Sequence, residues 1–228
     1  MTIVLKILFA TFLLVFTSFA DDRVAKAVFI DPPNDAPRRV FLVAPEKDAI
    51  EVELPRRNLS EDIIIPAGDL VYAILPEKLE EGETVPAGMP VLKISSEWSR
   101  TYLIFEFDKK AKKFPIKVKA IDGSAGKFPA GHTRLINLTE ARIHGKFGSK
   151  EVSLLPDQVK NLGPVVQGRG DFPVLIRCLE KGAEKPKTLK DTRWQHDPRS
   201  RQLVFISEPA GARIPTIRCL SDIEKITQ

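Results

Sequence analysis

Apolar and polar residues alternate along much of this chain with a period of two. Residues 49–54 and 116–120 alternate in this way, while residues 40–43, 70–75 and 203–206 form short apolar runs rich in β-branched side chains. A period of two is typical of half-buried strands, whereas a helix repeats near 3.6 residues. No long stretch shows the helical period. The pattern therefore predicts an all-β protein built from many short strands, with prolines and glycine-containing turns between them.

One hairpin pattern occurs twice. Residues 103–122 hold an apolar strand, a polar turn and a second strand that ends at Asp122, and residues 203–222 repeat this order up to Asp222. Weaker matches join 39–43 to 134–138, 63–66 to 153–156 and 70–75 to 173–179, and Trp98 and Trp194 each precede a late strand. A self-similarity at this spacing predicts two copies of one domain. The alternative is that two all-β halves resemble each other because strands resemble each other.

The fold predicted from these patterns is two tandem β-sandwich domains of the immunoglobulin-like type, related by internal duplication. The expected boundaries are a signal peptide over residues 1–20, an extended lead-in over 21–36, a first domain over 37–122 and a linker over 123–131. A second domain follows over 132–222, and 223–228 is expected to be a short helix or tail. The best helical segment covers 222–226, and a short 3₁₀ turn is expected within 157–162.

The first twenty residues have the form of a secretory signal peptide. Lys6 is the only charge, an apolar run covers residues 7–20, and small residues precede Asp21 at the expected cleavage point. The alternative is an uncleaved membrane anchor, but that run is short against the roughly 20 residues that span a bilayer. We therefore expect a secreted or periplasmic protein with no membrane span after cleavage.

Charge is distributed unevenly between the two halves. Residues 21–122 carry a net charge of −3 and residues 123–228 carry +7. Basic surfaces favour anionic partners, although solubility alone also explains them. The lysines expected to contact a polyanion lie in two turns: Lys109, Lys110, Lys112, Lys113, Lys181, Lys185, Lys187 and Lys190. If the acidic loop 76–90 and the basic loop 180–191 both flank the domain interface, they would attract each other. No aromatic residues interleave with the lysines, so nucleic acid is not an expected partner.

The chain has two cysteines, Cys178 and Cys219, both on apolar strands of the second half. Export permits a disulfide between them, because two strands of one sandwich can approach within bridging distance. Two unbridged thiols packed as small apolar side chains are the other interpretation. The sequence leaves both open.

Motifs for catalysis or cofactor binding are missing from the sequence. His132, His144 and His196 lack the spacing of a zinc site, and Asp31, Asn34 and Asp35 lack the regular spacing of a calcium loop. No nucleophile elbow or phosphate-binding glycine loop occurs. We therefore expect no cofactor and no metal.

The expected function is an exported, non-catalytic binding or structural protein. Its partner would be a protein or a glycan, contacted through strand edges or inter-domain loops. The alternative is a secreted hydrolase that uses carboxylates on its loops, for which the sequence supplies no geometry. The second half holds both cysteines and most of the positive charge, so we expect function there or where the two halves meet.

Overall fold

The computed structural model describes residues 23–108, 110–111, 113–209 and 211–223. The first half forms β1 (Arg23–Ile30), β2 (Arg39–Val43), β3 (Ile50–Glu53), β4 (Ile63–Ile65), β5 (Leu70–Leu75), β6 (Val91–Ile94), β7 (Arg100–Phe107) and β8 (Ile116–Asp122). The second half forms β9 (Thr133–Asn137), β10 (Arg142–Phe147), β11 (Lys150–Leu154), β12 (Val159–Leu162), β13 (Gly170–Leu179), β14 (Lys187–His196), β15 (Ser200–Ser207) and β16 (Thr216–Ile223). None of the described residues lies in a helix, so the all-β prediction is confirmed. The predicted signal peptide lies outside the described residues.

Each half folds into two four-stranded sheets with the same strand order. In the first half the inner sheet runs β4-β1-β7-β8 and the outer sheet β3-β2-β5-β6. In the second half the inner sheet runs β12-β9-β15-β16 and the outer sheet β11-β10-β13-β14. Neighbouring strands are antiparallel except that β1 pairs with β7, and β9 with β15, in parallel. The architecture is consistent with two β-sandwich domains, and the two sheet pairs are similar.

Three apolar layers separate the four sheets. One layer fills the first domain and a second fills the second domain. Between the two inner sheets lies a third cluster, which we call the middle layer. Its buried members are Val28, Ile30, Tyr102, Ile104, Ile121, Phe128, Ile136, Leu203, Phe205 and Leu220. The two domains therefore share a core.

The middle layer explains why the inner strands β1, β7 and β15 contain continuous apolar runs. On β1, Ala27 and Phe29 face the core of the first domain, while Val28 and Ile30 face the middle layer. On β15, Val204 and Phe205 divide in the same way between the second core and the middle layer. Because successive side chains point to opposite faces, a strand covered on both sides shows no alternation of apolar with polar residues.

The repeated hairpins correspond to β7-β8 and β15-β16, but their equivalence is not at an offset of one hundred. Leu103 faces the first core, whereas Leu203 faces the middle layer. The counterpart of Leu203 is Tyr102, since each lies in the middle layer and each pairs with another of its members, Leu220 and Ile121 respectively. A shift of one residue along a strand moves every side chain to the other face. Aspartates 122 and 222 are consequently not equivalent.

Two of the weaker sequence matches are wrong by one strand. Residues 134–138 fall on β9, which occupies the position of β1, whereas the counterpart of β2 is β10. Residues 153–156 overlap the end of β11, whereas the counterpart of β4 is β12. Residues 159–162 are this strand and not a 3₁₀ turn. The match of 70–75 to 173–179 does join equivalent strands, β5 and β13. Short β-branched runs are too similar for sequence alone to order them.

The chain ends also differ from the expectation. The segment 21–36, expected as a lead-in, contains β1, which lies between β4 and β7 in the first inner sheet. Near the C-terminus, Asp222 and Ile223 continue β16, where Asp222 pairs with Arg201, so the expected helix does not begin at residue 222. Residues 224–228 lie outside the described part of the chain. In both places, pairing with a distant strand decides the conformation.

The segment 123–131, expected as a linker, takes part in the packing between the domains. Phe128 is fully buried in the middle layer, with its ring 6.0 Å from that of Tyr102 in an edge-on arrangement. The guanidinium of Arg134, on β9, lies 4.2 Å from the centroid of the Phe128 ring. These contacts fix the segment against both domains.

The shared middle layer predicts that the two domains unfold together. Trp98 packs against the first core and Trp194 against the second, so each tryptophan reports on one domain. We expect Trp98→Phe and Trp194→Phe variants to show the same denaturation midpoint by fluorescence, after allowance for the stability change of each substitution. Two well-separated midpoints would contradict the shared core.

Truncation inside the middle layer should affect both tryptophan signals. We expect Phe205→Ala to lower the free energy of unfolding by roughly 3–5 kcal/mol, because it leaves a cavity between the inner sheets. Val71→Ala is the matched control, since Val71 is 51% exposed and should change stability by only about 0.5 kcal/mol. Urea denaturation of each single-tryptophan protein measures the effect.

Candidate functional site

Where the two domains meet, a buried aspartate collects three partners. The carboxylate of Asp222, on β16, accepts a hydrogen bond from the Tyr102 hydroxyl at 2.6 Å. It also lies 3.0 Å from Lys26 Nζ and 3.3 Å from a guanidinium nitrogen of Arg100. Asp62 lies at the rim, 3.6 Å from the same lysine. All three partners of Asp222 belong to the first domain, so this cluster joins the two domains.

The protonation of Asp222 follows from these contacts. Burial alone raises the pKa of a carboxyl group, but the hydrogen bonds from Tyr102 and Lys26, with the charge of Lys26, outweigh it and hold the pKa of Asp222 below its usual value. For Tyr102, burial and then the neighbouring carboxylate raise the pKa of the phenol. Asp222 is therefore ionised and Tyr102 neutral at pH 7, as an ionic contact between domains requires.

Further polar contacts join the inner-sheet edges to the opposite domain. Asp31 accepts hydrogen bonds from Arg218 at 2.5 Å and from the Ser207 hydroxyl at 2.5 Å. On the other side, Lys117 and Lys119 of β8 lie 3.5 and 3.2 Å from Asp157. The Asp31 carboxylate, weighed above as a calcium ligand, is thus occupied by two side chains of the second domain. These ion pairs connect the two domains at the edges of their inner sheets.

Removal of the Asp222 charge should be costly. We expect Asp222→Asn to lower the free energy of unfolding at pH 7 by about 3 kcal/mol, because Lys26 and Arg100 lose their buried counter-charge. The folded-state pKa is lowered, so this contribution is complete above the unfolded-state value of 3.8 and is lost as the pH falls through the folded-state pKa. Denaturation of both proteins across that range should show the difference shrinking with acidity.

An exposed ion pair supplies the control for this experiment. Glu51 is paired with Arg39 at 3.0 Å on the surface. Glu51→Gln should change stability by less than about 1 kcal/mol. If Asp222→Asn were equally mild, the cluster would not hold the domains together.

The longest free edge in the described part of the chain is β14. This strand has ten residues and pairs only with β13, at the border of the second outer sheet. Its counterpart in the first domain, β6, has four residues. The pairing of β14 with β13 is regular from His196 to Lys190 and shifts register at Leu189, so at about 3.3 Å per residue the regular part presents roughly 23 Å of strand. It contains no proline to interrupt pairing with another strand.

The register of β13 shows which residues of β14 direct their backbone groups outward. The carbonyl of Pro173 accepts a hydrogen bond from Gly148, on the β10 side of β13. Its register partner Arg193 therefore belongs to a non-hydrogen-bonded pair, and its N–H and C=O point away from β13. The same holds, by alternation, for Asp191 and Gln195. Their side chains lie on the solvent face, because the intervening Trp194 faces the core.

A cleft of about 430 Å³ opens between β14 and the edge strand β16. Trp194 forms one wall and packs against Phe147 with ring centroids 5.6 Å apart. Cys219 and Ile223 contribute from β16, and Ile223 is 60% exposed. The second sandwich is thus open along one side, where Trp194, Cys219 and Ile223 form the apolar part of a largely polar lining next to the free edge.

The two cysteines are free thiols in the structure, so the candidate disulfide is not formed. Cys178 lies on β13 inside the second core, and Cys219 lies on β16, where it is exposed in the cleft. The two strands belong to different sheets of the sandwich. Water is partly excluded around the Cys219 sulfur, which raises the pKa of its thiol to about 11.

Thiol labelling distinguishes the two cysteines. We expect native protein to react with iodoacetamide at Cys219 only, because Cys178 is 1% exposed. The rate should rise about tenfold per pH unit from neutral pH up to the pKa of about 11, since only the thiolate reacts. Cys219→Ser is the control and should label only in denaturant. An unreduced mass two hydrogens lighter would instead reveal a disulfide.

The lysines expected to contact a polyanion do not form one surface. Lys110 and Lys113 lie in the β7-β8 turn, where Lys113 donates to the carbonyl of Ala87, and Lys109 and Lys112 fall outside the described residues. Lys181 and Lys185 lie in the β13-β14 turn, and Lys187 is paired with Glu180 at 2.8 Å. Lys190 lies on β14 beside Cys219.

The acidic and basic loops also belong to different outer sheets. Loop 76–90 joins β5 to β6, and the basic turn joins β13 to β14. Since both inner sheets lie between these outer sheets, the expected attraction between the two loops across the interface is wrong. The acidic loop is instead contacted by Lys113 of its own domain, which donates a hydrogen bond to the carbonyl of Ala87.

Sequence reasoning missed β14 as a candidate site. Residues 187–196 alternate little and carry several charges, a pattern that favours a basic loop. The signal lay in Leu189 and Trp194, the two large apolar residues of the segment, both of which pack against the second core.

Comparisons with known proteins supply no family for this chain. No protein-family model matches it, and no curated protein matches its sequence significantly. Within the described ranges, no three His, Cys, Asp or Glu side chains cluster as metal ligands would. No helix formed by described residues is long and apolar enough to cross a bilayer.

Proposed function

We propose that the protein is an exported, non-catalytic binding or structural protein that accepts an extended segment of a protein partner along β14. The observation that carries this proposal is the outward-directed backbone of Asp191, Arg193 and Gln195 on a ten-residue edge strand, beside a cleft whose mixed lining includes Trp194 and Ile223. Strand addition uses such an edge: main-chain hydrogen bonds supply affinity, and neighbouring pockets receive alternate side chains. Trp194 and Ile223 offer apolar contacts for that purpose.

The other edge strands are less suited than β14 to accept a partner strand. The edge strands β3, β4, β6, β11 and β12 have three to five residues each. The longer edges β8 and β16 carry Lys117, Lys119 and Arg218, whose side chains are bound to the opposite domain. Lysines on an edge strand usually protect it from pairing with another chain. In β14 they lie only at the start, and the stretch from Asp191 to His196 contains none.

Export, immunoglobulin-like kinship and internal duplication are parts of the same proposal. The identical order of eight strands in both halves supports duplication. Two sheets packed face to face support the immunoglobulin-like interpretation, although the parallel pairing of β1 with β7 differs from a fully antiparallel sandwich. The apolar N-terminal sequence supports export. A glycan partner or hydrolase activity has no comparable support. The Asp222 carboxylate is occupied between the domains, and the Glu106 carboxyl, whose pKa is raised by burial, lies beside Lys117 of the neighbouring strand.

A pair of substitutions at one position tests the edge. Arg193→Pro removes an outward-directed N–H without removing a backbone hydrogen bond to β13. Arg193→Ala keeps the N–H, and both variants lose the same side-chain hydrogen bond to the carbonyl of Asp171 on β13. We expect wild type and Arg193→Ala to capture a partner from the native extracytoplasmic fraction, and Arg193→Pro to lose most of it. Circular dichroism should show that both variants fold.

Two outcomes would contradict the proposal. Equal capture by Arg193→Pro and Arg193→Ala would place the contact elsewhere on the surface. Recovery of a processed glycan or peptide product would favour the hydrolase.

A further inference from the structure

We propose that a second copy of this chain occupies the β14 edge, in an antiparallel pairing centred on Thr192. This inference rests on the proposed function, because it requires that β14 accept a strand. It names the partner as the identical strand of another molecule, so that two outer sheets join into one continuous eight-stranded sheet. Such an interface is isologous: residue i of one copy opposes residue j of the other, and j opposes i.

Backbone geometry restricts the register of this pairing. Asp191, Arg193 and Gln195 direct their N–H and C=O groups outward, whereas Thr192 and Trp194 bond toward β13. An antiparallel pair exchanges hydrogen bonds only between residues that both direct these groups to the shared edge. The two-fold axis that relates the two copies of β14 must therefore pass through a residue position and not between two residues. Near the middle of the strand this leaves centres at 191, 192 and 193.

Charge selects one of these three registers. A pairing centred on residue 191 places Asp191 opposite its own copy, and a pairing centred on residue 193 does the same with Arg193. Both bring like charges into direct opposition, which destabilises a strand pair. The pairing centred on Thr192 instead sets Asp191 opposite Arg193 of the other copy, twice by symmetry. Both side chains are exposed on the solvent face in the single chain, and each is in a hydrogen-bonded position of the proposed ladder.

The core-facing side of the strand agrees with this register. The Thr192-centred pairing sets Lys190 opposite Trp194 of the other copy, again twice. These positions face inward, since Lys190 pairs with Ile176 and Trp194 with Phe172 within the second outer sheet. A non-hydrogen-bonded pair brings its side chains close together, and a lysine beside an indole makes a favourable cation–π contact. Opposite charges on one face and this contact on the other make β14 complementary to itself.

Charge exchange between two variants tests the pairing. In Asp191→Arg the introduced arginine opposes Arg193 of the other copy, and in Arg193→Asp the introduced aspartate opposes Asp191 of the other copy. We expect wild type to form a concentration-dependent dimer in sedimentation velocity, and each variant alone to dimerise at least about tenfold more weakly. An equimolar mixture of the two variants should form a dimer again. In this mixed dimer the arginines at 191 and 193 of one chain face the aspartates at 193 and 191 of the other, so both opposed pairs are attractive.

Matched controls separate the edge from general charge effects. Lys146→Asp and Glu151→Arg alter an exposed pair on the same outer sheet, at strands β10 and β11, away from the free edge. They should leave the wild-type dimer unchanged. All four substituted positions are exposed, and circular dichroism verifies that each variant folds.

Three outcomes would overturn the inference. A wild type that stays monomeric at every concentration would exclude the second copy as the occupant. A dimer that ignores both charge variants, or a mixture that fails to regain the dimer, would exclude the Thr192-centred pairing.

The two proposals can fail separately. If wild type stays monomeric but captures a partner that Arg193→Pro does not, the second copy is excluded and the strand-accepting edge is supported. If the dimer responds to charge as expected but both Arg193 variants capture a partner equally, the pairing of two copies is supported and the captured protein binds elsewhere.

Discussion

The structure depends on burial of the inner sheets on both faces. The inner strands β1, β7, β9 and β15 contribute alternate side chains to their own domain and to the middle layer, so neither domain can complete its packing without the other. Full burial of a large apolar side chain contributes roughly 1.5–3 kcal/mol, and the middle layer contains ten buried side chains. Interfaces between domains are commonly small and polar, which permits relative motion. Here the contact resembles a domain core, and the two domains form one unit.

The charged contacts around that layer have a different role. Asp222, Asp31 and Asp157 each bind cations of the opposite domain. Taking these groups from water offsets much of their attraction, so they add less stability than their number suggests. An apolar layer by itself tolerates sliding, whereas an ionic contact at each border does not. We infer that the ion pairs fix the orientation in which the inner sheets face each other.

The sequence predicted the class of fold better than its details. The all-β class and the similar halves follow from short strands and from the repeated hairpin, and both features are local. The position of β1 and the order of the weaker strands depend on pairing between distant residues, which a single sequence does not specify. The one-residue shift between Leu103 and Leu203 has the same origin, because a strand buried on both faces carries no alternation to mark which face is which. The β14 edge could not be identified either, since an edge is defined by the absence of a neighbouring strand.

The parallel pairings have a consequence for how the chain reaches this structure. Strand β1 pairs with β7, and β9 pairs with β15, so each inner sheet closes only after most of its half has been synthesised. The middle layer needs both inner sheets and therefore forms last. Folds dominated by such long-range contacts form slowly, and their unpaired strands remain accessible meanwhile. During that interval the chain remains unfolded. This would suit the proposed export, because a chain that passes through a narrow translocation channel must do so before it folds.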